Sequence, residues 1–264
     1  MKVVNAEFKN KKGVIHIEET SPYFVNSLRR IMVADLPKLA VDDVVIYDNT
    51  SALFDEIISH RLGLIPIPTD LDLLVFRDDC TCKGKGCPTC TVRYTLSKEG
   101  AGVVYSGDLQ PAEKSWAIKE DKIPIVELFN DQRLILEVEA ILGRGKTRAK
   151  WQAVQAPGYK FMPTINFDKK KLNELKEFVK AIPDGLVALK GEKLEILDIG
   201  KLSILESYID KNNVDFIEIK RDNTNIIFTF ETDGALSPEE ALINSSKILE
   251  EKYAEFGKLL GKLK

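Results

Sequence analysis

At 264 residues, 44% hydrophobic and 30% charged, the chain is long and apolar enough to bury more than one core and is not disordered. A net charge of −3 and a pI near 5.7 argue against a free DNA binder, whose footprint is basic. No apolar run approaches the ~20 residues of a membrane span. Met1-Lys2-Val3-Val4 opens no stretch of the signal-peptide kind, so a cytoplasmic setting with protein partners is expected.

Taken in chain order, Val3 to Phe8 and Val14 to Glu18 read as strands joined at Asn10-Lys11-Lys12-Gly13. Ser21-Pro22 sets a cap residue before a proline suited to the first helical position. The helix runs to about Ala34, with Phe24, Leu28 and Ile31 on one face and Val25 and Met32 beside them. Pro37 stops that element, and Val41 to Tyr47 is β-rich. A second helix is expected from near Ser51 to Gly63, with Phe54, Ile57, Ile58 and Leu62 on one side; Pro66 and Pro68 forbid continuation.

All four cysteines fall within eleven residues: Cys80, Cys82, Cys87 and Cys90. Thiolates are soft ligands, and four that converge make a closed tetrahedral site with no position left for water, so a structural zinc is expected there. Gly84 and Gly86 supply positive φ and Pro88 stiffens the last turn. A four-thiolate iron–sulfur cluster shares this spacing and remains an alternative, as do free thiols; disulfides belong to secreted chains.

Downstream, Val92 to Leu96 and Leu134 to Ile141 alternate like strands. Gly145-Lys146-Thr147 has the end of a phosphate-binding loop, but Ala140 stands at its first glycine position and Pro157-Gly158 cuts off a long helix. The basic run Arg144, Lys146, Arg148 and Lys150 is read as a solvated or protein-contacting loop. His16 sits in a strand and His60 one turn from Glu56, a structural spacing. Glu18-Glu19 and Asp42-Asp43 are expected on solvated edges; no catalytic constellation is apparent.

Lys169 to Lys180 reads as a helix with Leu172, Leu175 and Val179 on one face. Val187 to Leu189 and Leu194 to Leu197 suggest a small hairpin. Ile226 to Glu231 is a strand, Asp233-Gly234 a turn, and Ser237-Pro238-Glu239-Glu240 a capping box. The helix that follows carries Leu242, Leu249, Tyr253, Phe256, Leu260 and Leu263, spaced by seven, four, three, four and three. That near-heptad seam fits either its own domain or a partner.

Phe24-Val-Asn-Ser-Leu-Arg-Arg-Ile31 followed by Val41-Asp-Asp-Val44 resembles the α-subunit signature of DNA-directed RNA polymerases. Asp55-Glu-Ile-Ile-Ser-His-Arg-Leu-Gly-Leu-Ile-Pro66 matches its second half. The four-cysteine loop, Val104-Tyr-Ser-Gly-Asp-Leu109 and Gly143-Arg-Gly-Lys146 leading to Ala149-Lys-Trp151 are similar to the D-type α-like subunits of archaeal RNA polymerases. Those are relatives of bacterial α and of the third-largest subunit of eukaryotic polymerase II. The matches span roughly residues 20 to 155 in the family's order.

The resemblance implies an α+β chain in three parts. These are a dimerisation domain split between 1–40 and 223–264, a β-rich insert at 41–160 with the four-cysteine loop, and a ferredoxin-like domain at 161–222. In that family the subunit pairs with a smaller α-like subunit (archaeal L), takes a small zinc subunit (archaeal N), and carries the large catalytic subunits. It contacts DNA little or not at all and has no active site of its own within the nucleotidyltransferase complex. Many archaeal members hold an iron–sulfur cluster in the third part. Here Ile182, Leu202, Leu205 and Tyr208 fall at the ligand positions, so no cluster is expected. The competing functions are an independent zinc-dependent nucleic-acid binder and a nucleotide-binding enzyme.

Overall fold

The computed structural model describes residues 1–183, 185–190, 193–196 and 201–263. In chain order the elements are β1 (Lys2–Lys9), β2 (Lys12–Glu18), α1 (Pro22–Ala34), β3 (Pro37–Asn49), α2 (Asp55–Gly63), β4 (Thr91–Glu99), β5 (Gly102–Tyr105), β6 (Gln110–Pro111), β7 (Pro124–Leu128), β8 (Arg133–Arg144), β9 (Val154–Phe167), α3 (Leu172–Ala181), β10 (Val187–Lys190), β11 (Lys193–Ile196), α4 (Leu202–Lys211), β12 (Ile217–Thr232) and α5 (Pro238–Gly261). The strands form sheets of order β1-β2-β12-β9 and β3-β8-β4-β6, and two pairs, β5-β7 and β10-β11. Helices and sheets are mixed, with five α-helices among the described residues; none of these is long and apolar enough to cross a membrane.

The chain divides into two compact units. The larger comprises Ala6–Val14, Tyr23–Gly158 and Thr229–Lys264. Its centre is β8, whose alternation sends Leu134, Leu136, Val138, Ala140 and Leu142 inward, paired antiparallel to β3 on one side and β4 on the other. Tyr94, Leu96, Ile58, Leu62, Ile65 and Ile67 complete this core, and each large side chain buried there contributes about 1.5–3 kcal/mol. Tyr94 is fully enclosed, and its hydroxyl donates to the Trp116 carbonyl at 2.8 Å.

The smaller unit comprises Met1–Asn5, Ile15–Pro22 and Tyr159–Phe228. Leu175, Phe178, Ile182, Leu186, Leu205 and Ile217 form its core, with Leu202 and Tyr208 packed against it. The four apolar residues singled out from the sequence, Ile182, Leu202, Leu205 and Tyr208, therefore meet in one cluster. The hairpin β10-β11 forms as expected; Asp184, Gly191, Glu192 and Leu197 lie outside the described residues.

Several local expectations need correction. The second helix begins at Asp55, not near Ser51, because the Asn49 carboxamide oxygen accepts from the Ser51 amide and hydroxyl while its nitrogen donates to the Leu53 carbonyl. That side-chain turn competes with helix. Ile58 and Leu62 are buried, whereas Phe54 and Ile57 point outward. Pro37 opens β3 on a sheet edge, where a missing donor is tolerated. The long β9 escaped notice because Pro157, Gly158 and Pro163 interrupt its pattern; it too is an edge strand.

Candidate metal centre and helix groove

The segment from Cys80 to Cys90 is a loop of tight turns. Lys83, Gly84 and Gly86 have φ of 53°, 81° and 81°, and the Lys83 amide donates to the Cys80 carbonyl at 3.0 Å. The Cys90 and Thr91 amides both donate to the Cys87 carbonyl, at 3.0 and 2.9 Å, and Thr91 starts β4. The four Sγ atoms all lie within 4.8 Å of one another. Cys80 and Cys87 are 3.4 Å apart, Cys82 and Cys90 3.6 Å, Cys87 and Cys90 3.8 Å. A tetrahedron of ~2.3 Å zinc–sulfur bonds sets its sulfurs ~3.8 Å apart, and a disulfide needs ~2.05 Å. The donor set thus fits one ion, and the cysteines are free.

Electrostatics within the loop favour the thiolate form at Cys82 and Cys87 and disfavour it at Cys90. Burial works against the Cys82 anion, but hydrogen bonds from Cys80, Cys90 and the Cys87 and Gly86 backbone outweigh it and bring its pKa down to about 6. The Thr89 hydroxyl, 2.8 Å from the Cys87 sulfur, lowers that thiol, while burial pushes Cys90 up to about 11. A brace from outside the motif holds the loop: Arg77 donates to the Gly84 carbonyl at 3.1 Å and lies 3.5 Å from Asp43 and 3.4 Å from Glu139. Arg77 was missed from sequence because both acidic partners are remote in the chain.

The glycine-basic stretch after β8 is a docking loop, not a phosphate cradle. A Cβ on Gly145 would stand 2.1 Å from the Val33 carbonyl oxygen, and one on Gly143 would stand 2.1 Å from the Trp151 ring. The Lys146 amide donates to the Ala34 carbonyl at 2.9 Å, closing the end of α1. The basic side chains, expected to be solvated or protein-contacting, also make contacts within the chain, and Lys146 and Arg148 remain more than half exposed. Arg144 lies over Phe76 at 4.3 Å, Lys146 lies 3.3 Å from Asp35, and Arg148 and Lys150 lie 3.3 and 2.6 Å from Asp42. Asp42 and Asp43 are therefore ion-paired, not merely solvated. Gly145→Ala should lower stability by roughly 1–3 kcal/mol or more, read as a Tm drop of several degrees. Gly158→Ala, with nothing within 4 Å, should leave the melt unchanged.

The Tyr105-Ser-Gly-Asp108 run is also structural. The Ser106 hydroxyl donates to the Glu120 carbonyl and accepts from the Ile123 amide at 3.1 Å, and Asp108 accepts from Lys98 at 2.7 Å. His16 meets Asn225 at 2.5 Å as a structural pair. No hydrogen bond joins His60 to Glu56 among the described residues; His60 is exposed beside Val41, Asp42 and Lys150 in a groove of about 550 Å³.

Helix α5 begins as expected. The Ser237 hydroxyl accepts from the Glu240 amide at 3.2 Å, and the Glu240 carboxylate accepts from the Ser237 amide at 2.9 Å. Ala241, Ser245 and Leu249 are buried, and every residue from Glu250 to Leu263 is exposed. The seam thus divides at one point: Leu249 is 7% exposed, whereas Tyr253 is 58% and Phe256 59%. A groove of about 310 Å³ runs between α1 and α5, lined by Ser27, Arg30, Ile31, Leu249, Tyr253 and Phe256. At its end Asp35 pairs with Lys252 at 2.7 Å and with Lys146. Burial opposes the Asp35 anion, and the two ammonium groups outweigh it, holding its pKa below the ordinary aspartate value.

Comparison with known proteins gives this arrangement a family. The model of the RNA polymerase Rpb3/RpoA insert domain matches residues 44–164. The DNA-directed RNA polymerase subunit Rpo3 of Methanosarcina acetivorans is 35% identical, covering 100% of this chain and 99% of its own. The Rpo3 of Methanosphaera stadtmanae is 36% identical over 94% of this chain and 96% of its own. That of Thermoplasma volcanium is 37% identical over 92% and 93%. With full-length relatives at this identity and the insert domain in place, the chain belongs to the Rpo3 family of α-like subunits of DNA-directed RNA polymerase.

Proposed function

We propose that the chain is a non-catalytic assembly subunit of the archaeal D type, pairing with the smaller α-like subunit through α1 and α5. The observation that carries this reading is the exposed end of α5. From Glu250 onward every described residue is exposed, and apart from the contact of Lys252 with Asp35 and the groove beside α1 the helix stands open, yet it carries Tyr253, Phe256, Leu259 and Leu260, with Leu263 just beyond its end. A helix of that length is marginal in water unless its apolar face is packed, and an apolar stripe of this size marks an interface. The groove between α1 and α5 continues the stripe inward. In this reading the split segments 1–40 and 223–264 dimerise, 41–160 is the insert, and 161–222 is a ferredoxin-like part. The small zinc-bearing partner (archaeal N) and the large catalytic subunits assemble on the resulting platform, in the cytoplasm, with the chemistry of transcription on the large subunits.

Zinc would be held by Cys80, Cys82, Cys87 and Cys90. It would supply a cross-link and no reactivity, since four thiolates leave no open position. The sulfur spacings support a single ion over an iron–sulfur cluster, which interposes its own atoms between the thiolates. In the smaller unit, the packing of Ile182, Leu202, Leu205 and Tyr208 supports a cluster-free core. Anaerobically purified protein should then be colourless, and iron chelators should leave the protease resistance of 161–222 unchanged. A brown protein whose absorption near ~400 nm survives loss of all four cysteines would refute that, since thiolates are the usual cluster ligands.

Co-expression with the smaller subunit tests the assembly reading. One peak of one-to-one composition on size exclusion is expected. Independent elution of the two chains would contradict it, and tight DNA binding by this chain alone would favour the nucleic-acid-binding alternative.

A further inference from the structure

Among the described residues, Lys38 is the one charged residue that is buried. Its ammonium donates to the Asp233 carboxylate, with side chains 3% and 9% exposed. The other oxygen of Asp233 accepts from the Ala235 amide at 3.0 Å, and the Asp233 amide donates to the Ala153 carbonyl at 3.2 Å. A second tie runs parallel to the first. The Leu39 amide donates to the Thr69 hydroxyl at 3.0 Å, and the Thr69 amide donates to the Ala235 carbonyl at 2.9 Å.

The place of this knot in the chain matters. Lys38 is the second residue of β3, just after α1 ends at Ala34, and Asp233 follows the last residue of β12, just before the α5 cap at Ser237. Both helices that line the groove are therefore rooted within four or five residues of one buried ion pair. Desolvation of such a pair costs about as much as its attraction returns, so its best-attested use is to select one arrangement among several. Backbone bonds alone could be remade after a shift of the turn; a buried ammonium finds its carboxylate in one position only.

We propose that Lys38–Asp233 is a positioning pair that sets the direction in which α5 leaves β12 relative to α1, and so the shape of the groove. The proposal rests on the reading of that groove as the seat of the smaller subunit. The test uses the full chain carrying Lys38→Met with Asp233→Leu, which removes both charges at once. It should fold with an equal or higher Tm. Amide exchange over the first turns of α5, Pro238 to Leu249, should quicken at least tenfold while the β3-β8 sheet keeps native protection. Affinity for the smaller subunit should fall at least tenfold, although neither residue lies in the groove.

Native exchange in α5 and native affinity in the double variant would overturn the proposal. If that variant does not fold, Lys38→Gln keeps a donor to Asp233 without its charge and decides the question. Faster exchange confined to α5 supports positioning; faster exchange in sheet and helix together, or in neither, overturns it. Because exchange is read on this chain, failure of the wild type to bind the smaller subunit would sink the partner reading and leave this one to be judged separately.

Discussion

Replacing Phe256 and Leu260 by aspartate is expected to abolish pairing with the smaller α-like subunit while leaving this chain folded. Both side chains are about half exposed on the chain alone, at 59% and 48%, so the substitutions should shift its stability by no more than ~0.5–1 kcal/mol. Once a partner covers them, each would bury an unpaired carboxylate at several kcal/mol, and two together exceed a thousandfold loss of affinity. Leu249→Asp should behave differently. That side chain is buried within its own unit, so the charge would destabilise this chain by several kcal/mol, with or without a partner. Equal effects at Leu249 and Phe256 on the isolated chain would contradict the division of the helix into an inner and an outer half.

The second large effect concerns the cysteine loop. One zinc per chain is expected by elemental analysis, falling to none or to weakly held metal in Cys87→Ser. Structural zinc in small peptides binds with roughly 10–16 kcal/mol of apparent free energy, and the loop from Cys80 to Cys90 contains no helix or strand of its own. Without metal it should become the first site of proteolytic cleavage, while the β3-β8-β4 sheet stays folded on its apolar core. Iron in place of zinc would overturn the assignment of the ion. A metal-free loop as protease-resistant as the native one would overturn its structural role.

These two expectations also show what local sequence conveys. The four cysteines lie within eleven residues, so their convergence is a short-range property set by two glycines and a proline. The capping box of α5 is equally local. The spacing of the α5 seam was legible as a face, but periodicity says which residues share a side and nothing about what covers it. The change from core to surface at Leu249 depends on where the rest of the fold ends. Helix α2 makes the same point: Phe54, Ile57, Ile58 and Leu62 fit a helical pattern, yet only Ile58 and Leu62 reach the core. The ties that shape the groove were invisible for a plainer reason. Lys38 and Asp233 are 195 residues apart and Asp35 and Lys252 are 217 apart, so no window of sequence contains either pair.

The central claim is that the exposed end of α5 is an interface for the smaller α-like subunit, and hydrogen exchange over Glu250 to Leu263 tests it most directly. In the free chain these amides should exchange far faster than those of the buried first half of α5, since every side chain here is exposed and the contacts to the end of α1 are limited to the Asp35–Lys252 pair and the groove. In the complex they should be protected by at least two orders of magnitude. Amides that remain equally fast in a stable complex would place the interface elsewhere and contradict the account.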